Sequence, residues 1–178
     1  ALCDFATNET CQTLNFPAGW SMFSTYIQAE SMNLSTLFSE MIAIDNLRIV
    51  KNYAGSAFLP SFSIDAIGPI ENEQGYLLKT TNAQSIEICG EYMLPEENPI
   101  SLNQGWGMFS YIRLESADTQ AVFDQFATDV IIIKNSVGTV YLPEWDFNGI
   151  GNLNPGMGYQ IKMASPHILQ YLPNSETY

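Results

Sequence analysis

The chain has 178 residues, which fits one medium domain or two small ones, and its 46% apolar content is ample for a core and excludes wholesale disorder. Six basic residues stand against nineteen acidic ones, and the net charge of −13 repels phosphate backbones and anionic lipid, which speaks against nucleic-acid and membrane-surface partners. The same surface suits a salty or calcium-rich exterior, where cations screen it, and no run of about 18 apolar residues is present to insert into a membrane.

At the N-terminus, Ala1-Leu2-Cys3-Asp4 carries neither a basic n-region nor an apolar h-region, so the expectation is a chain from which any secretory leader has been removed. Cys3 and Cys11 bracket a short polar loop, and residues 1–13 read as an arm closed by a Cys3–Cys11 disulfide in an oxidising compartment. Cys89, in the strand-like run Ser85-Ile86-Glu87-Ile88-Cys89-Gly90, reads as a buried thiol, with Cys11–Cys89 pairing as the open alternative. Zinc is disfavoured, because there is no CxxC and the one histidine, His167, is remote in sequence.

From Trp20 to Ile27 an aromatic-rich strand follows a tight glycine turn. An amphipathic helix comes next, with Asn33 or Ser35 as N-cap and Leu34, Leu37, Phe38, Met41 and Ile42 at helical spacing. Leu47 to Asn52 is a β-branched strand, and a turn at Ala54-Gly55 leads to a short strand through Phe58 that Pro60 ends. After a loop holding Ile67-Gly68 come strands Tyr76 to Thr80 and Ile86 to Tyr92. The order then repeats. Gly19-Trp20-Ser21-Met22-Phe23-Ser24 returns as Gly105-Trp106-Gly107-Met108-Phe109-Ser110, and Ile49-Val50-Lys51-Asn52 as Ile132-Ile133-Lys134-Asn135. Ala57-Phe58-Leu59-Pro60 returns as Val140-Tyr141-Leu142-Pro143, and Gly75-Tyr76-Leu77-Leu78-Lys79 as Gly158-Tyr159-Gln160-Ile161-Lys162. The offset falls only from 86 at Gly19/Gly105 to 83 at Lys79/Lys162. In the second copy the helix starts near Ser116 or Asp118, with Ala121, Val122 and Phe126 inward, and Ile168 to Leu172 is the last strand.

The chain therefore reads as two copies of one module of about 85 residues: module 1 over 14–93, a proline-marked linker over 94–100, module 2 over 101–173 and a tail over 174–178. The expected fold class is α+β, each copy a small, mostly antiparallel sheet with one helix, the two packed together because each alone is marginal in size.

This pattern resembles tandem modules of secreted and cell-surface multidomain proteins of marine, Bacteroidetes-like bacteria, which open with a GWN-(L/M)-(I/V)-S strand and close with a GxGYxxK strand. The resemblance runs from Leu14 to Pro173, and departs where Glu73 stands in place of the first glycine of Gly156-Met157-Gly158. It implies an extracellular, structural or adhesive role without chemistry and defines no ligand.

Side chains that could carry chemistry are few. No GxSxG elbow surrounds a serine, His167 reads as a surface or half-buried strand residue, and the glycine pairs precede strands rather than a phosphate-binding helix. No carboxylate pair stands out as a glycosidase pair, and Glu96 and Glu97 lie in the linker. Asp146 and Asn148 offer a weak calcium loop, set against an Asx turn, and no other cofactor is expected. Lys51, Lys79, Lys134 and Lys162 recur in both copies and read as a repeated ion pair or carbonyl contact, with ligand or interface contact as the alternative. Trp20 and Trp106 are expected to plug the core and Tyr76 and Tyr159 to pack beneath the adjoining glycine, whereas Phe62 and Trp145 are candidate sugar platforms, against a packing role. The expected function is a non-enzymatic structural or adhesive module, secreted or at the cell surface, that assembles with copies of itself or with other domains of a larger protein into a fibre or layer. The alternative is a glycan-binding module using exposed aromatics.

Overall fold

The computed structural model describes residues 9–178. Its architecture is mostly antiparallel β-sheet with a few short helices. In chain order come β1 (Thr10–Phe16), β2 (Gly19–Phe23), β3 (Ile27–Gln28), α1 (Leu34–Leu37), α2 (Ser39–Ala43), β4 (Leu47–Lys51), β5 (Ala57–Leu59), β6 (Ile64–Asp65), β7 (Tyr76–Thr80) and β8 (Gln84–Tyr92). The second half adds β9 (Ile100–Leu102), β10 (Gly105–Ser110), β11 (Ala117–Asp118), α3 (Thr119–Phe123), β12 (Val130–Lys134), β13 (Val140–Leu142), β14 (Phe147–Asn148), β15 (Asn152–Leu153), β16 (Gly158–Met163) and β17 (His167–Leu169).

Two five-stranded sheets dominate, ordered β2-β7-β4-β5-β6 and β10-β16-β12-β13-β14. They agree in detail. In each, the strand at second place shifts register against its β4 or β12 neighbour, between Leu47 and Ile49 in one and Val130 and Ile132 in the other, so that Arg48 and Ile131 bulge outward. Pro60 and Pro143 end β5 and β13 by opening a single 3₁₀ turn. The inner face of each sheet buries a matching aromatic set: Phe23 lies against Phe38 and Tyr76 at 5.4 and 5.7 Å between ring centroids, and Phe109 against Phe123 and Tyr159, both at 5.5 Å. The phenol oxygens of Tyr76 and Tyr159 each accept a backbone N–H, from Glu71 and Asn154, and burial pushes the Tyr76 hydroxyl up to about 12.

The single helix expected in each half is broken. Phe38, φ −107°, separates α1 from α2, and α3 passes at Phe123 into a 3₁₀ stretch over Asp124–Asp129. Asn33 makes no side-chain cap, whereas Asp118 accepts the Ala121 N–H. The inward residues nevertheless match the helical spacing, since Leu34, Phe38, Met41, Val122 and Phe126 are all buried. The strand expected over Trp20 to Ile27 also splits, because its last residues leave for another sheet, β1-β8-β3. The cation Arg113 is buried and fixes the tail: its guanidinium donates to the carbonyls of Pro173 and Glu176 and lies over the Tyr178 ring.

Cys11 corrects the expected pairing. It stands directly opposite Cys89 in the β1–β8 ladder, Cα atoms 4.0 Å apart, and is bonded to it, while Cys3 lies outside the described residues. Thr10–Phe16 is thus a sheet strand rather than an arm closed on itself, and Cys89 is no buried free thiol. The short Cα separation is that of a pair that does not exchange backbone hydrogen bonds, where opposing side chains come closest.

The two halves meet through reciprocal contacts. Ser24 N donates to Gly156 O at 3.0 Å, and Ser110 N donates to Glu73 O at 3.3 Å. A Cβ on Gly75 would stand 2.7 Å from the Phe109 carbonyl oxygen, and one on Gly158 2.7 Å from that of Phe23. Each would also lie 3.2 Å from the other glycine's Cα. These glycines are present because two backbones cross there, not because of a left-handed φ. Buried polar groups complete the seam: the Gln12 side-chain oxygen accepts from Thr25 Oγ1 and Tyr26 N, and Ser24 Oγ accepts from Tyr111 N.

Gly75→Ala and Gly158→Ala are each expected to lower unfolding free energy by about 1–3 kcal/mol through overpacking, while Gly107→Ala, where a Cβ meets nothing within 4 Å, changes it by less than about 0.5 kcal/mol; urea denaturation of the three variants checks this. Removing the disulfide as Cys11→Ser/Cys89→Ser, which opens a loop of sequence separation 78, is expected to cost about 4 kcal/mol, read by denaturation with and without reductant.

Candidate functional site

Strand alternation decides what the outer faces carry. With Phe23 and Phe109 turned into the core, Trp20 and Trp106, three residues earlier, must point outward. Both indoles are 48% exposed, so they do not plug the core as expected. Directly across the ladder stand Lys79 opposite Trp20 and Lys162 opposite Trp106. The Lys79 ammonium lies 5.6 Å from the Trp20 ring centroid, and Lys134 and Lys162 lie 5.0 and 5.8 Å from that of Trp106. Three of the four recurring lysines, Lys79, Lys134 and Lys162, are therefore held by tryptophan rings, and none of the four by a carboxylate: the ion pairs among the described residues are Arg48–Asp45 and His167–Asp129.

The two outer faces adjoin. Lys51 and Leu77 of the first sheet, together with Tyr53, line an open hollow of about 330 Å³ with Trp106, Lys134 and Gln160 of the second. A wider depression beside it is lined by Trp20, Arg48, Lys51, Lys79, Ile49 and Leu59. Neither lining contains a carboxylate, in a chain that has nineteen acidic residues. Four acids line another hollow, of about 1280 Å³, where Glu9, Glu30, Glu40 and Glu87 lie around β8 and which shares no lining residue with the cationic ones. A further hollow, of about 380 Å³, brings Glu71 and Glu73 to the other side of Tyr53 and Trp106, so the separation of charge holds for the two cationic hollows and not for the whole surface. Arg48 and Tyr53 belong to this cationic site but escaped sequence reasoning, since neither recurs in the second half.

Phe62 and Trp145 occupy matching 3₁₀ turns after Pro60 and Pro143, each followed by a left-handed residue, Ser63 or Asp146. At 73% and 76% exposed they pack into neither core nor seam. The outer faces and these turns present different aromatics, and nothing joins them into one site.

Asp146 and Asn148 form a turn. Asn148 Oδ1 accepts the Gly151 N–H, its amide donates to Gly151 O and to Asp118, and Asp146 Oδ1 accepts from Gln120. In the first half, Asp65 Oδ1 accepts the N–H groups of Ile67 and Gly68 in the same way. The side-chain groups of Asn148 are spent on closing the loop rather than turned together toward an ion. Cys11, Cys89 and Glu87 also cluster, but the disulfide consumes both sulfurs as ligands.

Ser165, Asp129 and His167 come together. The order differs from that of a nucleophilic triad: Ser165 Oγ and His167 Nε2 both bond the Asp129 carboxylate, so the acid, not the histidine, is central and the imidazole does not meet the hydroxyl. His167 instead stacks on Phe126 at 4.7 Å, and the group clips β17 to the 3₁₀ stretch. The Ser165 and His167 hydrogen bonds hold the Asp129 carboxyl below its ordinary value. A depressed carboxylate stabilises the fold above the ordinary carboxylate range, and that contribution is lost as pH falls through its folded value. The Tm difference between the protein and Asp129→Asn is therefore expected to shrink as pH drops below about 4, measured by calorimetry across the acid range.

Compared with protein families, with curated proteins and with solved structures, the chain matches none.

Proposed function

We propose that the chain is a non-catalytic adhesive module of an extracellular or cell-surface protein, built by tandem duplication, and that its working parts are the outer sheet faces. The observation that carries the reading is the pair Trp20 and Trp106: large apolar side chains held half in solvent at the same place in two sheets, each under lysine. Exposed indoles serve contact with a partner rather than the fold. Duplication is supported by the common strand order, the common bulge and the reciprocal seam. An extracellular setting is supported by the disulfide; among the described residues no helix is long and apolar enough to cross a membrane.

A second reading, a glycan-binding module using Phe62 and Trp145 as platforms, is favoured by the high exposure of those two rings.

Sedimentation velocity of the full chain over a concentration series, with and without calcium, and adsorption to insoluble cellulose, chitin and peptidoglycan test both. The expected outcome is self-association or adsorption that Trp20→Ala/Trp106→Ala abolishes. Loss in Phe62→Ala/Trp145→Ala instead would move the function to the second surface. A uniformly monomeric chain that adsorbs to nothing would overturn the adhesive reading.

A further inference from the structure

Four lysines and one arginine, five of the six basic residues, are gathered on or beside the outer faces of the two sheets. A net charge of −13 does not distribute its cations this way for solubility, because interspersed signs serve that better. Arg48 is tied to Asp45, but the four lysine ammonium groups have no carboxylate within ion-pair distance among the described residues. Keeping like charges close together without counter-charge costs free energy. A ligand that supplies negative charge removes that cost.

We propose that this face binds an anionic polysaccharide, the sugar rings lying against Trp20 and Trp106 and their acidic substituents meeting Lys51, Lys79, Lys134 and Lys162. The inference rests on the adhesive reading and names its ligand. Tryptophan offers an apolar plane to the C–H face of a sugar ring, and lysine offers a point charge to a carboxylate or sulfate without demanding the paired geometry of arginine. The arrangement repeats along the two adjoining sheets, with Lys51 bordering both hollows, so the face suits an extended chain rather than a single small anion. Nucleic acid fits less well. A duplex carries one charge per about 1.7 Å, and five cations against nineteen acids cannot offset that density. At about 0.1 M salt the Debye length is about 10 Å, so repulsion from the acids elsewhere is screened while contacts within the face persist. Binding is then strongest at intermediate ionic strength and weakens on either side.

The test is binding of the full chain to fluorescent polygalacturonate and dextran sulfate, with neutral dextran, polyglutamate and a thymidine oligonucleotide as competitors, over a salt series. The expected result is saturable binding to the acidic polysaccharides that none of the three competitors displaces. Trp20→Ala and Trp106→Ala each weaken it by about tenfold, and Lys51→Gln/Lys134→Gln weakens it while shifting Tm by no more than about 4 °C. Equal binding of polyglutamate would reduce the face to plain electrostatics and overturn the proposal. So would tighter binding of the oligonucleotide, equal binding of neutral dextran, indifference to the lysine variant, or no binding at all. Should polysaccharide binding fail while the tryptophan variants still abolish self-association, the lysines would be meeting the acidic hollow of a second copy; the adhesive reading would stand and this inference would not.

Discussion

Two main chains can cross as closely as those at Gly75 and Gly158 only where neither carries a Cβ, and everything else in the arrangement of the halves follows from that crossing. It brings the end of β2 against the start of β16 and the end of β10 against the start of β7, so that Ser24 and Ser110 each find a carbonyl of the other half. The contact is self-complementary, as in a twofold dimer, but both partners belong to one chain. Tyr26 packs on both cores at this seam, and buried Gln12 and Ser24 satisfy the backbone that the crossing exposes. The halves therefore cannot slide or separate without breaking buried hydrogen bonds, which are costly to leave unmade.

That rigidity is what gives the outer faces a fixed relation. A sheet whose inner face packs on aromatic rings has its outer side chains placed by the pleat alone. Trp20 and Lys79, or Trp106 and Lys162, are brought together by register, and no loop needs to order itself to assemble them. The same register explains why the lysines recur. Lys79 and Lys162 are one strand away from an indole and Lys51 and Lys134 two strands away. A cation over a ring, as at Lys79, Lys134 and Lys162, is stabilised by about 0.5–1 kcal/mol at an exposed site, enough to position it but not to neutralise it.

Much of this was legible in the residues, and the failures have identifiable causes. Strand positions from Leu47 to Thr80 and from Val130 to Met163 follow local β-propensity and the prolines that end β5 and β13, both properties of the chain itself. The direction of Trp20 was also available, because Phe23 as a core residue sets the alternation; its size alone argued wrongly for burial. The partner of Cys11 was not legible, since it depends on β1 pairing with β8 across most of the first half. Nor was the break at Phe38, whose ring is drawn into a cluster with Phe16 and Phe23, leaving its backbone outside the helical region. The cationic face was half visible: the recurrence of four lysines was plain, but that none of them meets a carboxylate among the described residues is a property of packing that no linear pattern states.

A fused twofold has a consequence for any surface the two halves share. In a symmetric dimer of separate chains the interface is one use of the surface and binding another, and the dimer must survive dilution for both binding faces to act together. Here both halves belong to one chain, so under the proposed binding an extended ligand held at one tryptophan would meet the second at an effective concentration set by a rigid frame rather than by a flexible linker. The halves are then free to differ. Trp106 is held by two lysines and Trp20 by one, with the bulged Arg48 beside it where the second half has Ile131. The two halves of the face are unequal by construction, so a polymer bound there as proposed would have a preferred direction along it.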